Sequence, residues 1–131
     1  MVRPPSSSPT ELELLILKVL WRKSPQTVRE VREALATAGR KLAHTSVITT
    51  LNVMVRKKYL RRSMRGNACL FAPRLTHTAV SRHMLGDVVE RVFDGSAKAV
   101  VLSLFDCAQI DANELKELRR LIADKSKEWK S

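Results

Sequence analysis

Apolar residues recur at helical spacing through most of the chain. Near the N-terminus they fall at i, i+3, i+4, i+7 and i+8, as Leu12, Leu15, Ile16, Val19 and Leu20. This spacing is typical of a helix with one buried face. Ser8 as the cap, Pro9 in the first helical position and Glu11 as the partner in a capping box predict a helix over about residues 9–22.

Two more helices are predicted after an interruption at "SPQ". Thr27 and Glu30 repeat the capping signal, Gly39 supplies a C-terminal stop, and the apolar face between them consists of Val28, Val31 and Leu35. The next apolar stripe has spacings of 3 and 4 and comprises Val47, Leu51, Met54 and Val55. It predicts a third helix over about residues 45–58.

The spacing of apolar residues is no longer helical after Tyr59. Two short apolar stretches flank Gly66 and Asn67 and end at Pro73, which predicts a β-hairpin over about residues 59–73. Three helices followed by a basic hairpin form the arrangement of a winged helix-turn-helix domain, here predicted over residues 9–75.

Residues 76–131 are predicted to be helical. Helices are expected over residues 77–93, from Ser96 to Phe105, and after a capping box formed by Asp111 and Glu114. Segments this short rarely form a stable monomeric core, so a dimerisation domain is predicted. The expected dimer contacts are Val80, Met84, Val88, Val92, Leu115, Leu118 and Ile122. The predicted fold class is mainly α: an α+β winged helix domain and a helical domain, after a flexible leader of residues 1–8.

The net charge of +11 is unevenly distributed along the chain. Residues 1–75 hold 15 Lys and Arg against 4 Asp and Glu, whereas residues 76–131 hold 9 of each kind. A basic unit joined to a neutral one indicates a module that binds a polyanion. A basic tail that only aids solubility is disfavoured, because these cations lie among apolar periodic segments.

The third predicted helix has the chemistry expected of a DNA recognition helix. It opens the stretch "HTSVITTLNVMVRKKYLRR", where Thr45, Ser46 and Thr49 fall on the face opposite the apolar stripe. Short hydroxylated side chains can approach base edges and phosphates closely, and the helix N-terminus favours phosphate. The alternative is that Thr45 only caps the helix and the other hydroxyls are solvated. Thr50 is expected to be half-buried.

Cations surround this predicted recognition helix. Arg61, Arg62 and Arg65 of the wing can lie along phosphates or enter the minor groove. The alternative is a charged edge hairpin that is protected from aggregation. The predicted DNA-binding set is Lys41, Thr45, Ser46, Thr49, Asn52, Arg56, Lys57, Arg61, Arg62 and Arg65.

Other functional classes fit the sequence poorly. The candidate nucleophiles and bases are His44, His77, His83, Cys69 and Cys107, which fall on different elements without a phosphate loop or metal-ligand spacing. No enzyme activity, cofactor or metal is therefore expected. The two cysteines suit a reduced cytoplasm, and no apolar run approaches the roughly 20 residues of a membrane span. We expect a cytoplasmic protein without stable membrane association.

Nucleic-acid binders of another kind are harder to separate from a sequence-specific regulator. Aromatic residues make up 5% of the chain, and none interleaves with the basic residues as a base-stacking surface for RNA requires. A nonspecific architectural DNA-binding protein remains the alternative.

The stretches "TVREVREALA", "TSVITTLNVMVRKKYLRR" and "RGNACLFAP" resemble the BlaI/MecI penicillinase-repressor family, and the resemblance extends over about residues 10–124. It implies a bacterial winged-helix repressor that dimerises through its C-terminal helices on a dyad-symmetric operator. In this family a membrane-bound β-lactam sensor with protease activity triggers cleavage of the repressor, which connects it to antibiotic resistance.

This chain departs from the family pattern at three places. Ser103 and Leu104 stand where the family has its scissile Asn-Phe bond. Ile48 and Val53 stand where some relatives carry arginine. No cysteine follows Cys107, whereas related copper-responsive repressors have a C-terminal cysteine cluster. Copper sensing is therefore not expected.

Overall fold

A computed structural model describes residues 8–130, with side chains to residue 129. The elements are α1 (Glu11–Arg22), α2 (Val28–Thr37), α3 (His44–Arg56), β1 (Leu60–Arg65), β2 (Ala68–Pro73), α4 (His77–Arg91), α5 (Ala97–Cys107) and α6 (Ala112–Lys130). The mainly α fold class with one small hairpin is confirmed. Apart from Ser8, the predicted leader lies outside the described residues. The chain divides into two compact units, the first ending at Leu85 and the second beginning at Gly86.

The N-cap of helix α1 lies two residues later than the sequence predicts. Thr10 is the N-cap: its Oγ1 accepts from the Glu13 backbone N–H at 3.2 Å, and the Glu13 carboxylate accepts from the Thr10 N–H at 2.8 Å. The prediction that Ser8 and Glu11 form this capping box is wrong. Both pairs have the required spacing of three residues, and only the Thr10 box turns Glu13 inward, where it meets the ammonium of Lys57, the C-cap residue of α3.

The capping box of α2 is where the sequence predicts it. Thr27 Oγ1 accepts from the Glu30 N–H at 3.2 Å, and the Glu30 carboxylate accepts from the Thr27 N–H at 2.9 Å. The hydrogen bonds also hold the pKa of Glu30 below its ordinary value. Gly39 follows the helix with φ +93°, so the predicted glycine stop is confirmed.

The core of the first unit lies between α1, α2, α3 and the hairpin. Its fully buried side chains are Ile16, Leu17, Leu20, Leu35, Val31, Val47, Leu51, Met54, Leu60 and Phe71. Leu12, Leu15, Val19 and Val55, which the periodicity also places on apolar faces, are only partly buried against it. The wing is joined to the chain between α1 and α2, because Gln26 and Phe71 exchange both backbone hydrogen bonds, at 3.0 and 2.8 Å.

The wing is an antiparallel hairpin of β1 and β2. The register runs from Leu60 opposite Pro73 to Arg65 opposite Ala68, which leaves Gly66 and Asn67 as the turn. Gly66 has φ +60°, a conformation that glycine adopts at little cost. The predicted hairpin is confirmed.

The N-terminal half of α4 belongs to the first unit. Val80 is 5% exposed within its core, and Met84 packs against that core. Trp21 Nε1 donates to the Leu75 carbonyl at 2.8 Å, which fixes the approach to α4 on α1. The predicted domain boundary at residues 75 and 76 therefore lies too early. Val80 is a core residue of the first unit, so its prediction as a dimer contact is wrong.

The second unit consists of the end of α4 with α5 and α6. Ser96 caps α5 by accepting from the Ala99 N–H, and Asp111 Oδ1 accepts from the Glu114 N–H at 2.8 Å. These helix starts are as predicted. None of residues 86–129 is buried in the single chain. Within the described part of the chain, no helix is long and apolar enough to cross a membrane.

Candidate nucleic-acid interface

Helix α3 presents one polar face and buries the other. Val47, Leu51 and Met54 are fully buried in the core. The opposite stripe has spacings of 4, 3 and 4 residues and consists of Thr45, Thr49, Asn52 and Arg56, with Ser46 beside it. Thr45, Ser46, Thr49 and Arg56 are exposed and Asn52 is half-buried. Short polar side chains therefore form a continuous surface on a helix that the core holds rigidly.

The N-terminus of α3 has no side-chain cap. Its N-cap residue is Ala43, and no side chain makes a capping hydrogen bond there. The alternative that Thr45 only caps the helix is therefore wrong. The first backbone N–H groups of a helix lack intrahelical partners and carry partial positive charge, so this end suits a phosphate. Thr50 is half-buried as predicted, and its hydroxyl donates to the Ser46 carbonyl at 2.9 Å.

A basic concavity lies at the N-terminus of α3. It has a volume of about 350 Å³ and is lined by Arg29, Arg32, Glu33, Ala36, Lys41, Leu42 and His44. Arg32 Nε donates to the Leu42 carbonyl at 2.9 Å, which fixes the turn that leads into α3. The apolar periodicity of α2 does not single out Arg32 as a functional residue. The signal that could have identified it is a cation on the polar face of the helix that precedes α3.

The wing carries its arginines on two faces. Along β1, side chains alternate between faces, so Arg61 and Arg65 lie opposite the buried Leu60 while Arg62 shares its face. Arg62 Nη1 donates to the Asn52 Oδ1 at 3.1 Å. The structure thus brings together two residues that were predicted as separate DNA contacts.

Lys57 has a structural role. Its Nζ lies 2.8 Å from Glu13 Oε2, and Glu13 is only 3% exposed. The same ammonium lies 5.6 Å from the centre of the Tyr59 ring. The ion pair joins α1 to the end of α3 and gives Lys57 a structural role in addition to the phosphate contact that the sequence predicts.

The pKa of Glu13 reflects this environment. Burial raises the pKa, but the hydrogen bonds from Lys57 and the Thr10 backbone, with the Lys57 charge, outweigh burial and hold it below the ordinary value of 4.5. Glu13 is therefore ionised at neutral pH. Burial raises the pKa of Tyr59 above its ordinary value of 10.0.

The remaining predicted cations are exposed and available for phosphate. Lys41, Arg56, Arg61 and Arg65 are exposed, and none has a salt bridge to another residue of the range 8–129. They surround α3 from the turn before it to the tip of the wing. An arrangement of hydroxyls on a helix flanked by cations can bind base edges and backbone phosphates together.

The candidate groups for other chemistry are scattered. His77 packs edge-on against Trp21, with ring centroids 5.2 Å apart, and Cys69 lies on β2 while Cys107 ends α5. Among the described residues, no group of three His, Cys, Asp or Glu side chains could hold a metal ion.

The residues predicted for dimerisation and cleavage lie mainly in the second unit. Val88, Val92 and Ile122 are exposed, Val92 by 67% and Ile122 by 63%, whereas Leu115 and Leu118 are half-buried. Ser103 and Leu104 lie within α5, where Ser103 is half-buried and Leu104 is exposed.

Two solved structures have a low similarity to this chain. A chain of an hsRosR complex gives a TM-score of 0.49 at 18% identity, covering 92% of this chain and 94% of that one. A variant of Lactococcus lactis ZitR gives a TM-score of 0.45 at 14% identity, covering 98% and 81%.

Relatives found by sequence have a higher identity to this chain than these solved structures. The transcriptional regulator BlaI of Mycobacterium tuberculosis, in two strains, is 31% identical over 115 residues, which is 87% of this chain and 82% of BlaI. The penicillinase repressor family matches residues 9–124. The chain therefore belongs to the penicillinase repressor family and is a DNA-binding transcriptional repressor, not an enzyme.

Proposed function

We propose that this repressor binds a dyad-symmetric operator as a homodimer, with one α3 in each of two major-groove half-sites. The observation that carries the proposal is the polar stripe of α3, in which Thr45, Thr49 and Arg56 are exposed and Asn52 is half-buried, while the opposite face is buried in the core. A helix held in this way can enter a major groove without rearranging the domain.

The proposed contacts divide into two kinds. Thr45, Ser46, Thr49 and Asn52 would read base edges, because each has a short hydrogen-bonding side chain on the outer face of α3. The exposed cations Lys41, Arg56, Arg61 and Arg65 would bind phosphates and set the position of the helix in the groove.

The alternative function is nonspecific architectural binding, and competition between duplexes separates the two. A sequence-specific repressor should prefer its operator over bulk DNA by roughly 10³-fold or more. Thr49→Ala should reduce that preference, whereas Arg65→Ala should weaken binding to every duplex alike. Equal affinity of the wild-type protein for all duplexes would refute the proposal and support the architectural alternative.

Dimerisation through the second unit is supported by its surface. The exposed large apolar side chains of residues 86–129 include Val88, Val92, Val101, Leu102, Leu104, Phe105, Leu121, Ile122 and Trp129. Apolar surface of this extent, with no buried residue beneath it, stabilises a fold only when a partner covers it, at about 25 cal/mol per Å². A second copy of the same unit would cover it.

Sedimentation of the full-length protein tests the dimer. The wild-type chain should sediment as a dimer at tens of micromolar, and Ile122→Asp should make it monomeric because a charge would enter the apolar contact. Lys116→Asp introduces the same carboxylate on an exposed polar position of α6 and serves as the control. A monomeric wild-type protein, or equal effects of both substitutions, would contradict the proposed interface.

We further propose that cleavage by a sensor protease near Ser103 and Leu104 ends repression. Cleavage there would separate α6 and the end of α5 from the DNA-binding unit. A single winged unit would lose the effective-concentration gain of roughly 10²–10⁴ that linked binding to two half-sites provides. Because the bond lies within a helix, the protease requires local opening of α5.

A chain that ends at Ser103 tests this step. In a gel shift beside the full-length protein, it should be monomeric and should bind the operator at least 100-fold more weakly. Its binding to a single half-site should equal that of the full-length protein, since the α3 surface is unchanged. Undiminished operator affinity of the truncated chain would exclude cleavage at this bond as the switch.

A further inference from the structure

Arg62 and Asn52 form the one side-chain hydrogen bond between the wing and α3 that the structure shows within residues 8–129. Arg62 Nη1 donates to Asn52 Oδ1 at 3.1 Å. Arg62 faces α3 because it lies on the same face of β1 as the buried Leu60. Asn52 lies in the middle of the polar stripe and is half-buried beside the wing. The pair therefore sits inside the proposed DNA surface.

The chemistry of the pair determines how the amide is oriented. A guanidinium has five N–H donors and no acceptor, so its partner in Asn52 must be the amide oxygen. The amide nitrogen, with its two donor hydrogens, consequently faces away from Arg62. Without Arg62, the Asn52 side chain could rotate and present either the oxygen or the nitrogen of its amide to DNA. Beside Arg62 only one orientation keeps the hydrogen bond.

This orientation has a consequence for base recognition. Asparagine commonly pairs with adenine by accepting from the N6 amino group and donating to N7. Here the amide oxygen already accepts from Arg62, and an adenine amino group that donated to its second lone pair would lie against the positive charge of the guanidinium. Guanine instead offers two acceptors, O6 and N7, toward the major groove. A pair whose outward groups are N–H donors, and whose acceptor lies beside a positive charge, favours guanine.

We propose that Arg62 is a positioning residue that fixes the Asn52 amide, so that the pair selects guanine over adenine at one position of each half-site. The inference rests on the proposed function, in which α3 reads the major groove. Arg62 acts here through Asn52 and not as one more phosphate contact.

Matched substitutions separate this role from a loss of charge. Arg62→Met removes the donors while it keeps an aliphatic stem against α3. Arg61→Met removes the same charge from the opposite face of β1 and is the control. Arg62→Lys keeps a cation that donates hydrogen bonds and should retain the guanine preference. Asn52→Ala identifies the operator position that Asn52 reads, since base preference is lost there alone.

The test is selection of binding sequences from randomised duplexes with each full-length variant, followed by affinities on the selected duplexes. The wild-type protein should prefer guanine at the Asn52-dependent position by roughly tenfold or more. Arg62→Met should change that preference to adenine. Arg61→Met should lower the affinity for all duplexes and leave the selected bases unchanged.

Each outcome bears on a different claim. If a sequence is selected but the Asn52-dependent position prefers adenine, or if Arg62→Met and Arg61→Met behave alike, the inference is refuted while the proposed function stands. If the wild-type protein selects no sequence, specific operator recognition fails and the inference fails with it. Should Arg62→Met fail to fold, Arg62→Lys decides: a change of the selected base would refute the donor argument.

Discussion

Replacing Lys57 by methionine should destabilise the first unit, because it leaves the buried carboxylate of Glu13 without its cation. The ammonium and carboxylate lie 2.8 Å apart, and Glu13 is 3% exposed. After the substitution, Glu13 keeps the backbone N–H of Thr10 as a hydrogen-bond donor. Methionine fits the space of the lysine stem, so the lost charge dominates the effect.

The size of the effect follows from the burial of both partners. Removing one partner of a fully buried ion pair costs about 3–5 kcal/mol of unfolding free energy. The Lys57 side chain is 37% exposed, so water can reach the vacated position and the loss should be smaller, roughly 2 kcal/mol. For a unit of this size, that corresponds to a fall in melting temperature of about 8–16 °C.

The loss of unfolding free energy in Lys57→Met should depend on pH, which identifies Glu13 as its origin. In the wild-type protein the pKa of Glu13 lies below 4.5, so this group contributes stability above that pH and loses it as the pH falls through the folded pKa. In the variant, burial without Lys57 should raise the pKa of Glu13, and protonation on acidification then relieves the unpaired charge. The difference in stability between the two proteins should therefore shrink below about pH 4.5.

Urea unfolding followed by tryptophan fluorescence measures this difference. A Trp129→Phe background leaves Trp21, which packs within the first unit, as the reporter. Lys58→Met is the control: it removes an equal charge from the adjacent exposed residue, which has no salt bridge within residues 8–129. Equal losses for Lys57→Met and Lys58→Met, or a difference between Lys57→Met and wild type that stays constant from pH 7 to about pH 3, would refute the reasoning.

Two further substitutions probe the local structure. Thr27→Ala should lower the unfolding free energy by about 1 kcal/mol, because the Glu30 N–H loses the Thr27 Oγ1 acceptor while the backbone N–H of residue 27 keeps its bond to the Glu30 carboxylate; urea unfolding measures the change, and no change would contradict the capping geometry. Gly66→Ala should destabilise the wing turn by about 1–2 kcal/mol at its φ of +60°, so binding to all duplexes should weaken in gel shifts. Asn67→Ala is the control beside it, and an equal effect of both would exclude a backbone origin.

Local patterns in the sequence are sufficient to predict most helices, the hairpin and the class of function. Periodicity of apolar residues fixes which face of a helix is buried, and the change of period after Tyr59, with glycine at the turn, fixes the hairpin. These signals are local, because they depend on residues a few positions apart. The concentration of cations in residues 1–75 likewise requires no structure to indicate a polyanion partner.

Contacts between residues that are far apart in the chain depend on the tertiary structure. Lys57 and Glu13 are 44 positions apart in the chain, and Arg62 and Asn52 are 10 apart on different elements. Val80 has the same helical spacing whether its partner is this core or another chain. Periodicity defines a face but not what covers it, so the structure alone could assign Lys57 to an ion pair, Arg62 to Asn52 and Val80 to the first unit. These pairings follow from packing of distant segments, which no local pattern in the sequence specifies.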